Sequence, residues 1–185
     1  MNIKVAKSDI ADVLSKVQGL TGRRSSLAIT ENVLVRTTAE GIALIATDLE
    51  TGFEGTYPAT VEKEGVIAIT ARKFFEIIRE FPSDEICINE VENRWIEIGN
   101  KNVQYHIVGM NPDDFPDSPL LEDIAFFDID SYAFKKMIEK TVMVGGTLDD
   151  KRAHINGIFF ETLAEQDHKL IRMVSPDGSG LATVD

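Results

Sequence analysis

The apolar and polar positions of this chain draw the same helical stripe three times, about sixty residues apart. Ile10, Val13, Leu14 and Val17 form the first copy. Phe74, Ile77, Ile78 and Phe81 form the second, and Phe134, Met137, Ile138 and Thr141 the third. Positions i, i+3, i+4 and i+7 share one side of a helix, so each copy predicts an amphipathic helix that needs an apolar surface to cover. The first and third copies also share surroundings. Residues 3–22 align on 127–146 at a constant shift of 124, which places Lys16 on Lys140. After one inserted residue, 32–37 align on 157–162. A structural unit therefore begins again near residue 124, and internal repetition marks an assembly built from like parts.

Between the helices the period changes to two. Residues 1–6, 31–38, 42–48, 52–59, 66–70, 85–89, 94–99 and 104–108 read as strands, with turns at Ala39-Glu40-Gly41 and Glu92-Asn93. Ser8 is expected to cap the first helix, with Asp9 in its first turn. Thr70 is expected to cap the second, which Pro82 stops. Residues 109–119 hold three prolines and read as an interdomain connection. From 124 the pattern predicts a strand, a helix over 131–143, a glycine turn, and strands at 154–162 and 169–175. The expected domains are 1–119 and 124–185. Helices separated by groups of strands give an α+β class in which the intervening sheets are the only surface the helices can cover.

Composition narrows the function. The 185 residues are 43% apolar, with a single cysteine, Cys87, so no disulfide framework exists. The first residues have no signal-peptide core, and no apolar run reaches membrane-spanning length. A soluble, cytoplasmic protein is the expectation, with no membrane partner. The net charge of −12 argues against nucleic acid, but the charge is uneven. Residues 1–30, 71–79 and 131–152, which hold the helices and their flanking loops, carry 13 basic and 6 acidic residues; the remainder carries 6 basic and 25 acidic. Helices lying on sheets would then present a cationic outer face. Arg72, Arg79 and Lys136 point away from the apolar stripes, with Lys16 and Lys140 on their flanks. Lys73, Lys135, Lys151 and Arg152 join them by charge placement. Solvated helix faces also carry such residues, and the weight here comes from the bias recurring in an acidic chain.

Catalytic chemistry is not assembled. His106, His154 and His168 lack metal-ligand spacing, and Gly145-Gly146 is not followed by the Lys-Ser/Thr of a phosphate loop. Asp48 and Asp177 occupy related places in the repeat, where aspartate shapes turns. Cys87, Trp95, Phe126, Phe127, Phe159 and Phe160 are expected to pack in the core. No cofactor, metal or active site is expected.

The residues resemble the bacterial sliding clamp family, the beta subunit of DNA polymerase III. The resemblance rests on Gly22-x-Arg24, Ala46-Thr-Asp-Leu-Glu50, Ala71-Arg-Lys-Phe-Phe-Glu-Ile-x-Arg79, Asp114-Phe-Pro116, Asn156-Gly-Ile-Phe-Phe-Glu161, and Asp177-Gly178 with Leu181. These motifs occur in family order along the whole chain. The resemblance implies a DNA-clamp fold: a homodimeric ring of three similar domains per subunit, helices lining the hole and antiparallel sheets outside. It implies a processivity factor that encircles double-stranded DNA without reading sequence, with clamp loader and polymerase subunits as protein partners. Arg24 and Arg72 fall on DNA-contacting positions of the family, and Ala153 and His154 fall where the family often has residues that touch DNA, although Ala153 cannot donate to phosphate. Asp177, Gly178 and Leu181, with Ile155, fall in its pocket for partner peptides. Two departures stand out. Asp185 falls inside the second domain, so an amino-terminal portion is expected. The loop Pro176-Asp-Gly-Ser-Gly-Leu181 also lacks the His and Arg of the family pattern Thr-Asp-Gly-His-Arg-Leu. An acidic protein-interaction module that keeps the fold without closing a ring is the alternative expectation.

Overall fold

A computed structural model describes residues 1–21, 27–117, 127–144, 157–165 and 168–185. The chain divides into two compact units, Met1–Leu120 and Leu121–Asp185.

In the first unit, β1 (Asn2–Ala6) runs directly into α1 (Lys7–Thr21). Then follow β2 (Asn32–Thr38), β3 (Gly41–Thr47), β4 (Gly52–Tyr57), β5 (Thr60–Lys63), β6 (Val66–Thr70), α2 (Ala71–Glu80), β7 (Glu85–Glu90), β8 (Trp95–Gly99) and β9 (Gln104–Val108). They form a five-stranded sheet, β5-β1-β7-β8-β9, and a four-stranded sheet, β4-β3-β2-β6, with antiparallel neighbours throughout. The five-stranded sheet turns Ile3, Val5, Ile86, Ile88, Ile96 and Ile98 inward, and the four-stranded sheet contributes Val33, Val35, Ile42, Leu44, Ile67 and Ile69. Ile10, Val13, Leu14 and Val17 of α1 and Phe74 and Ile78 of α2 complete one continuous core. Each helix stripe thus buries against side chains that alternate on strands.

The turns that set the registers are chemically specific. Gly41 holds φ at +145°, and a Cβ there would collide with the Tyr57 carbonyl. The β7–β8 turn places both Asn93 (φ 57°) and Arg94 (φ 61°) in the left-handed region. Asparagine tolerates that region; arginine does not. Arg94→Gly is therefore expected to stabilise the unit by about 0.5–1 kcal/mol, relief of strain exceeding the added chain entropy. A urea midpoint that falls on this substitution would contradict the strain.

Several sequence expectations change. Helix α1 starts at Lys7, so Ser8 lies within it rather than capping it. The Lys7 N–H donates to the Asp84 carbonyl at 2.7 Å, so backbone supplies what a cap would. Thr70 precedes α2 but makes no side-chain cap bond; its hydroxyl donates to Asn32 Oδ1 at 3.3 Å. Strand β5 was not anticipated. Residues 109–117 are not a bare connection: Met110 bridges Ala68, and Phe115 is buried with Ile29, Leu34, Ile45 and Ala68 on the outer side of the four-stranded sheet. Trp95 is 43% exposed and Cys87 only half-buried, because both project from the face of the five-stranded sheet opposite the core.

The second unit contains α3 (Ser131–Thr141), β10 (Phe159–Glu165), β11 (His168–Pro176) and β12 (Leu181–Val184), the strands forming an antiparallel sheet in the order β10-β11-β12. Asp130 Oδ1 caps α3 by accepting from the Ala133 N–H at 2.7 Å. The helix packs on β11 and β12, and Met137, Thr141, Met173 and Ser175 are buried. Residues 127–130 are not a strand, and residues 124–126 lie outside the described set. Phe127, Phe159 and Phe160 are exposed rather than core; among the described residues β10 is an outer strand of its sheet, and Phe127 precedes α3 outside any strand. Phe160 instead makes an edge contact with Phe134 (6.2 Å between ring centroids) and stacks on Phe127 (6.3 Å). Phe126 is outside the described residues.

Candidate nucleic-acid interface

On α2 the buried stripe is Ala71, Phe74 and Ile78, and Arg72, Lys73 and Arg79 stand on the exposed side. On α3 the exposed cations are Lys135, Lys136 and Lys140, opposite Met137 and Thr141. Arg24, Lys151, Arg152 and His154 lie outside the described residues. Within their observed bounds the three helices carry eight basic and five acidic residues, so much of the expected surplus belongs to flanking residues. The bias is absent from α1 itself, whose two basic residues are matched by Asp9 and Asp12. Lys7 turns inward to donate to the Phe81 carbonyl at 2.8 Å, and Lys16 pairs with Asp12 at 2.6 Å.

The exposed cations of α2 and α3 are mostly partnered along their own helices. Arg72 Nε donates to Glu76 at 3.0 Å and Arg79 Nε to Glu80 at 2.8 Å, with the Arg79 guanidinium 5.3 Å from the Phe75 ring centre. Lys136 donates to Glu139 at 2.7 Å and lies 5.8 Å from the Tyr132 ring centre; Lys135 approaches the same carboxylate at 4.0 Å. The Lys136 hydrogen bond, then its charge, hold the Glu139 carboxyl below the usual glutamate range. Lys73 and Lys140 are exposed, with no ion pair among the described residues. Such solvated pairs are weak and salt-sensitive, so a phosphate can displace a carboxylate at little cost. The i+3 and i+4 spacing of Glu76 and Glu139 from Arg72, Lys135 and Lys136 is a pairing signal present in the sequence, whereas Arg79 pairs with its immediate neighbour Glu80.

The residues expected in a peptide pocket form a turn. Asp177 Oδ1 accepts from the Ser179 N–H (2.8 Å), the Gly180 N–H and the Ser179 hydroxyl (3.0 Å). Gly178 has φ +88°, and Leu181 is exposed. Ile155 lies outside the described residues. The same device operates at Asp48, whose Oδ1 accepts from the Glu50 and Thr51 N–H groups. The Ser179 and Gly180 amides hold the Asp177 carboxyl below the usual aspartate range. A carboxyl whose folded pKa is depressed stabilises above its unfolded value, and that stability is lost as pH falls through the folded one. An NMR titration of Asp177 is therefore expected to give a midpoint below about 3.9, and Asp177→Asn should flatten the acid side of the second unit's stability profile. A midpoint at the ordinary value would remove the turn's electrostatic account.

The outer strand β9 pairs with β8 on one side and with no described residue on the other. Beside it, Lys73, Glu76, Ile77, Glu80, Tyr105 and Ile107 line an open groove of about 270 Å³. Among the described residues no group of three or more His, Cys, Asp or Glu could hold a metal ion, and no helix is long and apolar enough to cross a membrane.

Solved structures share this architecture. A sliding clamp (DNA polymerase III subunit beta) from Bartonella birtlesii, bound to griselimycin, superposes with a TM-score of 0.85 at 26% identity, covering 100% of this chain and 49% of that one. Caulobacter crescentus pol III beta gives a TM-score of 0.87 at 22% identity, over 99% and 49% of the two chains. The fold is thus the α+β clamp fold. The family model for the DNA polymerase III beta subunit, N-terminal domain, matches residues 1–119, and the chain belongs to that family. The beta sliding clamp of Vibrio cholerae is 28% identical over 98% of this chain and 49% of its own length. The chain spans about half the length of the curated relatives it matches.

Proposed function

We propose that the chain supplies clamp domains, 1–119 and the start of a second from 124, to a ring that encircles duplex DNA and holds a replicative polymerase to it. The role is tethering without catalysis, in the cytoplasm. The observation that carries this reading, beside family membership, is that α2 in the first unit and α3 in the second each expose cations on the side away from the packed stripe. Arg72, Lys73, Arg79, Lys136 and Lys140, with Arg24, Arg152 and His154, would meet phosphates rather than bases, as sliding requires. The edge of β9 that pairs with no described residue, with Tyr105 and Ile107 beside the groove, suits pairing with a second subunit, since an open edge recruits another strand. The Asp177–Leu181 turn, with Ile155, would receive short peptides of polymerase and clamp-loader subunits.

Retention on circular DNA tests the ring. The protein is loaded onto a nicked circle with a clamp loader, then passed through a sizing column in high salt. Retention that is lost when the circle is cut supports encirclement, because topology is insensitive to salt. Binding that salt erases equally on circles and linear duplex would instead favour the acidic protein-interaction module.

A further inference from the structure

We propose that Leu49, at the tip of the β3–β4 turn, anchors a folded protein partner that offers an apolar pocket with a cationic rim. Leu49 holds φ at +78°, a region that glycine and asparagine enter easily and a bulky side chain does not. The turn is built without its side chain. The Asp48 N–H donates to the Thr51 carbonyl at 3.2 Å and the Leu49 N–H to Thr47 Oγ1 at 3.0 Å. Asp48 Oδ1 accepts from the Glu50 and Thr51 N–H groups at 3.1 and 2.6 Å. The Thr47 hydroxyl closes the loop by donating to the Thr51 carbonyl at 3.0 Å. Four successive amides are therefore satisfied inside the loop.

The leucine side chain is 50% exposed and belongs to neither buried cluster of the unit. Among the described residues, neither buried cluster nor the hydrogen bonds of the turn use this leucine side chain, and the backbone disfavours one. Strain held in place by surrounding bonds points to a use for the strained residue. Asp48 and Glu50 flank the tip, so phosphate is repelled and a pocket rimmed by Lys or Arg is favoured. A lone anchor gains most from a preformed pocket, which a folded partner has and a short peptide lacks. The inference rests on the reading above that the chain works with partner proteins.

Leu49→Gly and Leu49→Asn both suit the positive φ, and the asparagine variant avoids glycine's added chain entropy. Binding to a purified clamp-loader complex is measured beside thermal melting. Leu49→Asn is expected to melt above wild type, and both variants to bind the loader at least tenfold more weakly. Unchanged loader binding overturns the anchor. A lower melting temperature for Leu49→Asn overturns it too, since the leucine then serves the fold. If wild type itself binds no loader, the tethering reading falls, and the anchor with it.

Discussion

Phe74→Ala will cost the first unit about 3–5 kcal/mol, the range for emptying a buried aromatic site. Phe74 is fully buried and sits in the middle of the α2 stripe, within the cluster shared by both sheets. Few neighbours can move to fill the space. The five-stranded sheet fixes Ile86, Ile88, Ile96 and Ile98 in register, and α1 holds the other side. Domains of this size are stable by about 5–15 kcal/mol, so the loss takes a large share of the total. Urea denaturation should show a much lower midpoint with an unchanged slope. Arg72→Ala, two residues away on the exposed side, should stay within about 0.5 kcal/mol. A Phe74→Ala loss below about 1 kcal/mol would mean that the helix does not seal the core.

Neutralising the exposed cations should act on DNA binding and leave folding alone. Each phosphate contact contributes about 0.9 to the slope of log affinity against log salt. Replacing Arg72, Lys73, Arg79, Lys136 and Lys140 by alanine should therefore flatten that slope by up to about 4.5 and weaken binding at low salt by roughly two orders of magnitude. Fluorescence anisotropy with a short duplex, titrated with salt, reads both quantities. The intrahelical acids supply a control of opposite sign. Glu76→Gln and Glu139→Gln release Arg72 and Lys136 from their carboxylates, so binding should tighten. If the alanine set leaves the slope unchanged, these helices do not meet phosphate.

Much of this fold is written in two periods. The Phe74 and Ile10 stripes and the alternation Ile86, Ile88, Ile96, Ile98 specify helices and strands because each side chain meets one continuous core. Strand β5 escaped notice because four residues, Thr60-Val-Glu-Lys63, with one half-buried position are too few to display a period. Phe115 looked like part of a proline-rich link, and its burial depends on a surface formed by Ile29, Leu34, Ile45 and Ala68, distant in sequence. For the candidate interface, charge type and the spaced pairs with Glu76 and Glu139 were legible, whereas the pairing of Arg79 with its neighbour Glu80 depends on side-chain orientation. Arg24, His154 and Ile155 could be placed by resemblance alone, and Arg152 by charge alone.

The lysine that begins α1 has a consequence for how the first unit opens. The Lys7 ammonium holds the Phe81 carbonyl just beyond α2, while the Lys7 amide holds the Asp84 carbonyl that follows it. The start of one helix and the end of the other are one hydrogen-bonded knot, although the residues are far apart in sequence. Neither helix can fray from that end without uncapping the other. Their protected amides should therefore exchange with solvent deuterium as a single cooperative group, at the free energy of opening the entire unit.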